Sequence, residues 1–170
     1  RGRETLSVMM PAVRPEELGI RTEEDPVRVC GNSCLFCFVD QLPAGLRPSL
    51  YVKDEDYRLS FMFGNYITLT NLSDEDYDRI ASLRLSPLYV SVHATDDAVR
   101  RLMLGNPDAP GILPAMERLG RSGIALHTQI VLCPGINNGP VLEHTLHGLF
   151  GLGETVASVA VVPVVLTAHR

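Results

Sequence analysis

An α/β domain built on a parallel sheet is the fold the sequence predicts, and three observations predict it. Runs rich in Val, Ile and Leu begin near residues 67, 88, 125 and 156, about 20 to 40 residues apart, the size of β-α crossover units. The runs are nearly continuous in apolar residues rather than alternating, which suits parallel strands buried on both faces. The segments between them carry helix start and stop signals. A closed eight-fold barrel needs ~250 residues. The 170 residues here therefore predict an open or partial (β/α) barrel, truncated at its C-terminal side.

In chain order, ETLSVMMP reads as a strand, PEELGI as a helical turn ended by Gly19, and the polar RTEEDP as a linker. Residues 1–26 are expected to be the remnant of a preceding domain plus a linker, and residues 27–170 the β/α domain. VRVC is a short β-branched strand that leads into a cysteine loop, where Gly31 and Asn32 would supply unusual backbone angles. Residues 38–66 scatter Pro43, Gly45, Pro48 and Gly64 among aromatics without a period, and read as an ordered extended excursion. YITLTNL (66–72) is strand-like. SDEDYDRIASLRL is a helix with Ser73 at its N-cap and three acidic residues at the positive end of the dipole. PLYVSVHA (87–94) is a strand. TDDAVRRLML is a helix capped by Thr95 or Asp96 and stopped by Gly105 and Pro107. A further helix runs from about Ile112 to Leu119. IALHTQIVLC (124–133) is a strand closed by the turn PGINNGP, VLEHTLHGLFGL a helix, and TVASVAVVPVVL (155–166) a nearly unbroken apolar strand.

Composition narrows the function classes. Hydrophobic residues make up 45% of the chain, which excludes an intrinsically disordered protein. A net charge of −5 argues against non-specific nucleic-acid binding. No apolar run is long enough to span a bilayer. Four cysteines could make two disulfides, but three of them fall within eight residues, too close for unstrained disulfide geometry. Nothing suggests secretion, and in a reducing cytoplasm clustered cysteines bind metal or do redox chemistry. A cytoplasmic location is the expectation.

The spacing is Cys30-x3-Cys34-x2-Cys37. Structural zinc takes four ligands, usually as two paired knuckles, and no second pair follows this trio. A [4Fe–4S] cluster also usually takes four cysteines; a trio leaves one iron open for a substrate or cofactor. Three readings stand on the residues alone: an open-iron cluster, a zinc module completed by Cys133 or a histidine, and an iron–sulfur electron carrier. Cys133 itself reads as a fourth ligand, a hydrogen-atom donor, or a small buried residue at a strand end. His127, His144 and His147 read as surface or packing residues. The polar run Lys53 to Arg58 reads as a solvated face, although long non-repetitive loops of this kind are often functional.

The cysteine spacing, with Phe36 just before the last cysteine, resembles the signature of the radical SAM superfamily. The wider text CGNSCLFCFVDQLPAGLR, LYVKDEDYRLSFMFGNYITLTNL, LCPGIN and VVPVVLTAHR resembles one branch of it, over roughly residues 27–170. That branch carries a PDZ-like domain before the radical SAM region and a family-specific domain after it. The resemblance implies a partial or full β/α barrel, a [4Fe–4S] cluster held by Cys30, Cys34 and Cys37, and S-adenosylmethionine on the open iron. It implies reductive cleavage of that cofactor to a 5′-deoxyadenosyl radical. The consequence would be an oxidoreductase or transferase with a substrate these residues do not specify and an electron donor as partner. Phe36 would lie near the adenine. Where many members have Gly-Gly-Glu to receive the cofactor's amino group, this chain has TLTN, so Thr70 and Asn71 would offer oxygens there. Ser91 and His93, on one strand face by period two, and Gln129 on the next strand would also face the cofactor.

Overall fold

The computed structural model describes residues 26–168. The strand, helical turn and linker expected before Pro26 lie outside the described residues. Eight main elements follow: helices α1 (Tyr57–Phe63) and α2 (Asp74–Leu83), strand β1 (Leu88–Ser91), helices α3 (Asp97–Leu104) and α4 (Ile112–Arg121), strand β2 (Leu126–Leu132), helix α5 (Pro140–Gly151) and strand β3 (Val156–Pro163). The strands form a parallel sheet in the order β1-β2-β3, with Val90 opposite Thr128 and Thr128 opposite Val159. Each connection crosses over through helix, so the α/β fold class stands, with the sheet of a partial β/α barrel.

Period two sorts the strand side chains. Leu88, Val90, Leu126 and Ile130 are fully buried and pack with Ile80 of α2, Met116 and Leu119 of α4 and Leu149 of α5. Each such burial contributes about 1.5–3 kcal/mol. The residues between them, Tyr89, Ser91, His127, Gln129 and Val131, point to the opposite, more polar face. That face carries the candidate site.

The helix signals hold in detail. Ser73 accepts from the Asp76 amide while Asp76 accepts from the Ser73 amide, a complete capping box on α2. Asp96 caps α3, and Gly105 ends it in the left-handed region. The helix expected to stop at Leu119 continues to Arg121, and α5 begins with Pro140 in its first turn.

Four expectations need correction. VRVC is not a strand of the sheet: it makes one antiparallel bridge, Val29 to Asp54, flanked by Cys30 N–H to Lys53 O at 2.8 Å and Glu55 N–H to Arg28 O at 2.9 Å. Val27 and Val29 are both exposed, so the run has no apolar face to bury in a sheet. YITLTNL contributes a single parallel bridge, Ile67 to Val90, because Leu69 turns to φ 59° and breaks the ladder. The excursion contains α1, capped by Asp56 and ended by Gly64 at φ 76°. Its buried residues are Tyr57 and Ser60, the Ser60 hydroxyl accepting from the Tyr89 amide at 2.8 Å, while Phe61, Met62 and Phe63 are exposed. Finally, β3 is not buried on both faces. It pairs only with β2, and Ala157, Ser158, Val161 and Pro163 are exposed.

Candidate functional site

The cysteine loop is docked, not free-hanging. Arg28 enters it with two guanidinium hydrogen bonds of 2.6 Å to Asp76 of α2. The loop backbone then sits on the C-terminal end of α3, with Ser33 N–H to Leu104 O and Leu35 N–H to Met103 O, each at 2.9 Å. Cys34 is buried against Leu104 and Ala109, with Phe36 and Cys37 packed on the same cluster. Gly105 makes the close approach possible: a Cβ there would lie 2.3 Å from the Ser33 carbonyl oxygen, at a φ of 56°.

Neither Gly31 nor Asn32 takes a positive φ, contrary to expectation. Asn32 instead works through its side chain. Its amide donates to the Thr68 hydroxyl at 2.9 Å and the Thr70 hydroxyl at 3.1 Å, and its oxygen accepts from Asn106 at 2.7 Å. One buried amide thus ties the cysteine loop to two other segments, which makes up for the backbone freedom it does not use.

A cleft of about 610 Å³ opens beside the loop. Cys30, Cys34 and Cys37 line it together, with Phe36, Ser91, His93 and Gln129 on its walls. Seven of the nine residues named from sequence therefore share one space. Thr70 and Asn71 do not line it. The Thr70 hydroxyl is spent on Asn32 and Thr68, and Asn71, exposed, donates to the Glu55 carbonyl at 3.0 Å. The turn at Leu69 is the reason: it rotates the residues after it away from the direction strand alternation would give.

Lining residues that sequence reasoning did not assign include Lys53, Glu55, Tyr66 and Thr68. Lys53 and Glu55 belong to the polar run read as a solvated face, yet Glu55 is only 2% exposed. The position of the run inside a long irregular loop was the available signal. The Glu55 carboxylate accepts from the Thr68 amide at 2.5 Å and the Thr68 hydroxyl at 2.8 Å. Burial pushes its pKa up, against the pull of the Thr68 hydroxyl and the amides of Thr68, Leu69 and Thr70. On the far side of the Thr68 peptide lies Arg100, 1% exposed, donating to the carbonyls of Thr68 at 2.6 Å, Pro110 at 3.1 Å and Val92 at 3.2 Å. Burial lowers its pKa to about 10, with the Glu55 charge acting the other way.

His93 is strained and neutral. It sits at φ 65°, with its carbonyl accepting from Asn137 at 2.9 Å and its ring 4.4 Å from that of Phe36. Val131 N–H donates to Nδ1 at 3.2 Å, which leaves the ring hydrogen on Nε2. Burial, helped by Arg100, lowers its pKa from 6.5 to about 3. The folded state then binds fewer protons than the unfolded chain between those values, so this contribution to stability is full above about pH 6.5 and lost as pH falls toward 3. A His93→Asn variant, whose side chain tolerates the left-handed region, should show a flatter decline of unfolding free energy between pH 7 and pH 4 than the wild type. Denaturant titrations at several pH values check this; parallel declines would contradict it.

None of the four cysteines is in a disulfide. Burial pushes the Cys34 thiol up to about 12, and the Cys30, Cys37 and Glu55 charges push the same way. Burial also raises Cys30. Any metal bound here must displace thiol protons. Among the described residues no three His, Cys, Asp or Glu side chains are grouped to hold a single ion. A zinc site needs four donors converging within ~2.3 Å of one point. The three thiols line one cleft without being grouped about a single point, and thiolates are the donors an iron–sulfur cluster takes. Cys133 is buried at the end of β2, its amide bonded to Asn137 Oδ1 at 2.7 Å, and is not in the lining; the PGINNG segment is a strand-to-helix turn. His144 and His147 lie exposed on α5, and His127 stacks on Tyr89.

No helix among the described residues is long and apolar enough to cross a membrane. No curated protein matches the chain. A radical SAM-like domain family matches residues 13–159, well over half of the sequence. Such domains belong in general to iron–sulfur enzymes that use S-adenosylmethionine. With its thiol trio lining one cleft in a parallel α/β fold, the chain belongs to the radical SAM-like domain family.

Proposed function

We propose that Cys30, Cys34 and Cys37 hold a [4Fe–4S] cluster and that the adjoining cleft binds S-adenosylmethionine. The observation that carries this reading is that three thiols from one loop, none in a disulfide, line a single cleft of about 610 Å³. When bound, the two cofactors supply one-electron cleavage of a sulfonium carbon–sulfur bond and hydrogen abstraction from a substrate, the chemistry of an oxidoreductase or a transferase.

The protein's part is to bind, orient and exclude water. The Phe36 ring offers a flat apolar wall for the adenine, and its contact with His93 fixes its tilt. Ser91 and Gln129, register partners on β1 and β2, give hydroxyl and amide groups to the polar parts of the cofactor. His93 donates from Nε2. Thr70 and Asn71 act one layer back, by holding Asn32 and Glu55 in place. The electron comes from a separate donor protein or reductant. The resemblance to a branch with a PDZ-like domain before this unit and another domain after it belongs to the same proposal, as does a cytoplasmic setting.

Anaerobic reconstitution with iron and sulfide tests the ligand set. Cys30→Ala, Cys34→Ala and Cys37→Ala should each lose most of the cluster absorbance and bound iron, while Cys133→Ala should load like the wild type. Tightly held zinc in place of iron, or a loss of loading in Cys133→Ala, would overturn the assignment.

A further inference from the structure

Glu55 is not one of the proposed cluster ligands. Among the described residues it makes no ion pair, although it is a carboxylate buried to 2% exposure. It lines the same cleft as the thiols. The antiparallel bridge that pairs Val29 with Asp54 sets its backbone beside the segment that enters the cysteine loop, with Glu55 N–H on Arg28 O and Cys30 N–H on Lys53 O. Thr68 fixes one of its oxygens, and the same Thr68 hydroxyl accepts from Asn32 inside the loop. The carboxylate is therefore held at a set place in the wall of the cleft that Cys30 and Cys34 also line, with the Thr68 amide and hydroxyl as donors that favour its charged form.

Water does not screen a charge placed like this, so its effect on a neighbouring redox centre is large. Lys53, which also lines the cleft, is held by Asp40 at 2.5 Å, so each of that pair offsets the other. Arg100 lies behind Thr68, with its donors on carbonyls, and partly offsets Glu55. We infer that Glu55 is a fixed negative charge that sets the reduction potential of the cluster and makes it harder to reduce. This inference rests on the cluster reading above. Reduction adds one electron to a centre already bearing thiolates, and a buried carboxylate beside it opposes that added charge.

The test is a redox titration of the reconstituted chain without S-adenosylmethionine, followed by electron paramagnetic resonance, with dithionite as reductant and viologen mediators. At the poise that leaves the wild type half reduced, Glu55→Gln should favour the reduced form by on the order of tenfold, a rise of about 59 mV for one electron. Glu55→Asp keeps the charge and disturbs the packing at least as much, and should stay near the wild-type potential. An unchanged potential in Glu55→Gln would overturn the inference. So would equal shifts in both variants, or loss of the cluster from both while the wild type loads, since these indicate a structural role. A wild type that takes up no cluster overturns the cluster reading itself, and this inference with it.

Discussion

Replacing Gly105 with alanine is expected to detach the cysteine loop from α3. The left-handed backbone alone costs an alanine ~1 kcal/mol. The added Cβ would also stand 2.3 Å from the Ser33 carbonyl oxygen and 2.9 Å from its carbon, and backbone cannot swing aside as a side-chain tip can. Relief requires the loop to lift, which breaks the bonds from Ser33 to Leu104 and from Leu35 to Met103 and uncovers Cys34. The expected loss is about 3 kcal/mol or more of stability, with iron uptake falling in step. Gly31→Ala is the matched control. A Cβ there meets nothing within 4 Å, and the φ is not positive, so denaturant midpoint and iron content should stay near wild type. A Gly105→Ala protein with normal stability and loading would show that the loop is not seated on α3 as described.

Arg100→Met is the second large effect. The guanidinium is buried and satisfies three carbonyls from three segments, those of Thr68, Val92 and Pro110. Methionine fills the space but donates nothing, so three carbonyls lose a partner and the Glu55 carboxylate loses its nearest buried counter-charge. Each buried carbonyl left without its donor costs about 1–3 kcal/mol, so a loss of several kcal/mol is expected. The double variant Glu55→Gln, Arg100→Met should lose less than the sum of the singles, by at least ~1 kcal/mol, because each single leaves the other charge unbalanced. Urea titrations of the four proteins measure this. Strict additivity would mean the two charges do not interact through the Thr68 peptide.

What the sequence made legible follows a physical pattern. Helices with local signals were readable because a cap is a few-residue event: Ser73 with Asp76, Asp96, and Gly105 all do in the structure what their types suggest. The parallel strands were readable because most of their buried positions, Leu88, Val90, Leu126 and Ile130, are apolar. The thiol trio was readable from spacing alone. Helix α1 was not, because only Tyr57 and a serine that caps a strand amide face inward while its phenylalanines face out. Thr70 and Asn71 were placed in the cleft by matching TLTN to the Gly-Gly-Glu run of similar proteins at a strand end, and one left-handed leucine turns that strand end aside. Glu55 was hidden for a related reason. A carboxylate in a run of charges looks solvated, and only the approach of Thr68 from 13 residues away supplies the amide and hydroxyl that hold it.

The central claim is that one short loop holds a cluster with an open iron that takes S-adenosylmethionine. The most direct measurement is the electron paramagnetic resonance spectrum of the reconstituted, reduced chain with and without that cofactor. The account predicts a [4Fe–4S] signal that changes when the cofactor is added, with 5′-deoxyadenosine appearing in the mixture. A cluster signal indifferent to the cofactor, with no 5′-deoxyadenosine formed, would contradict it.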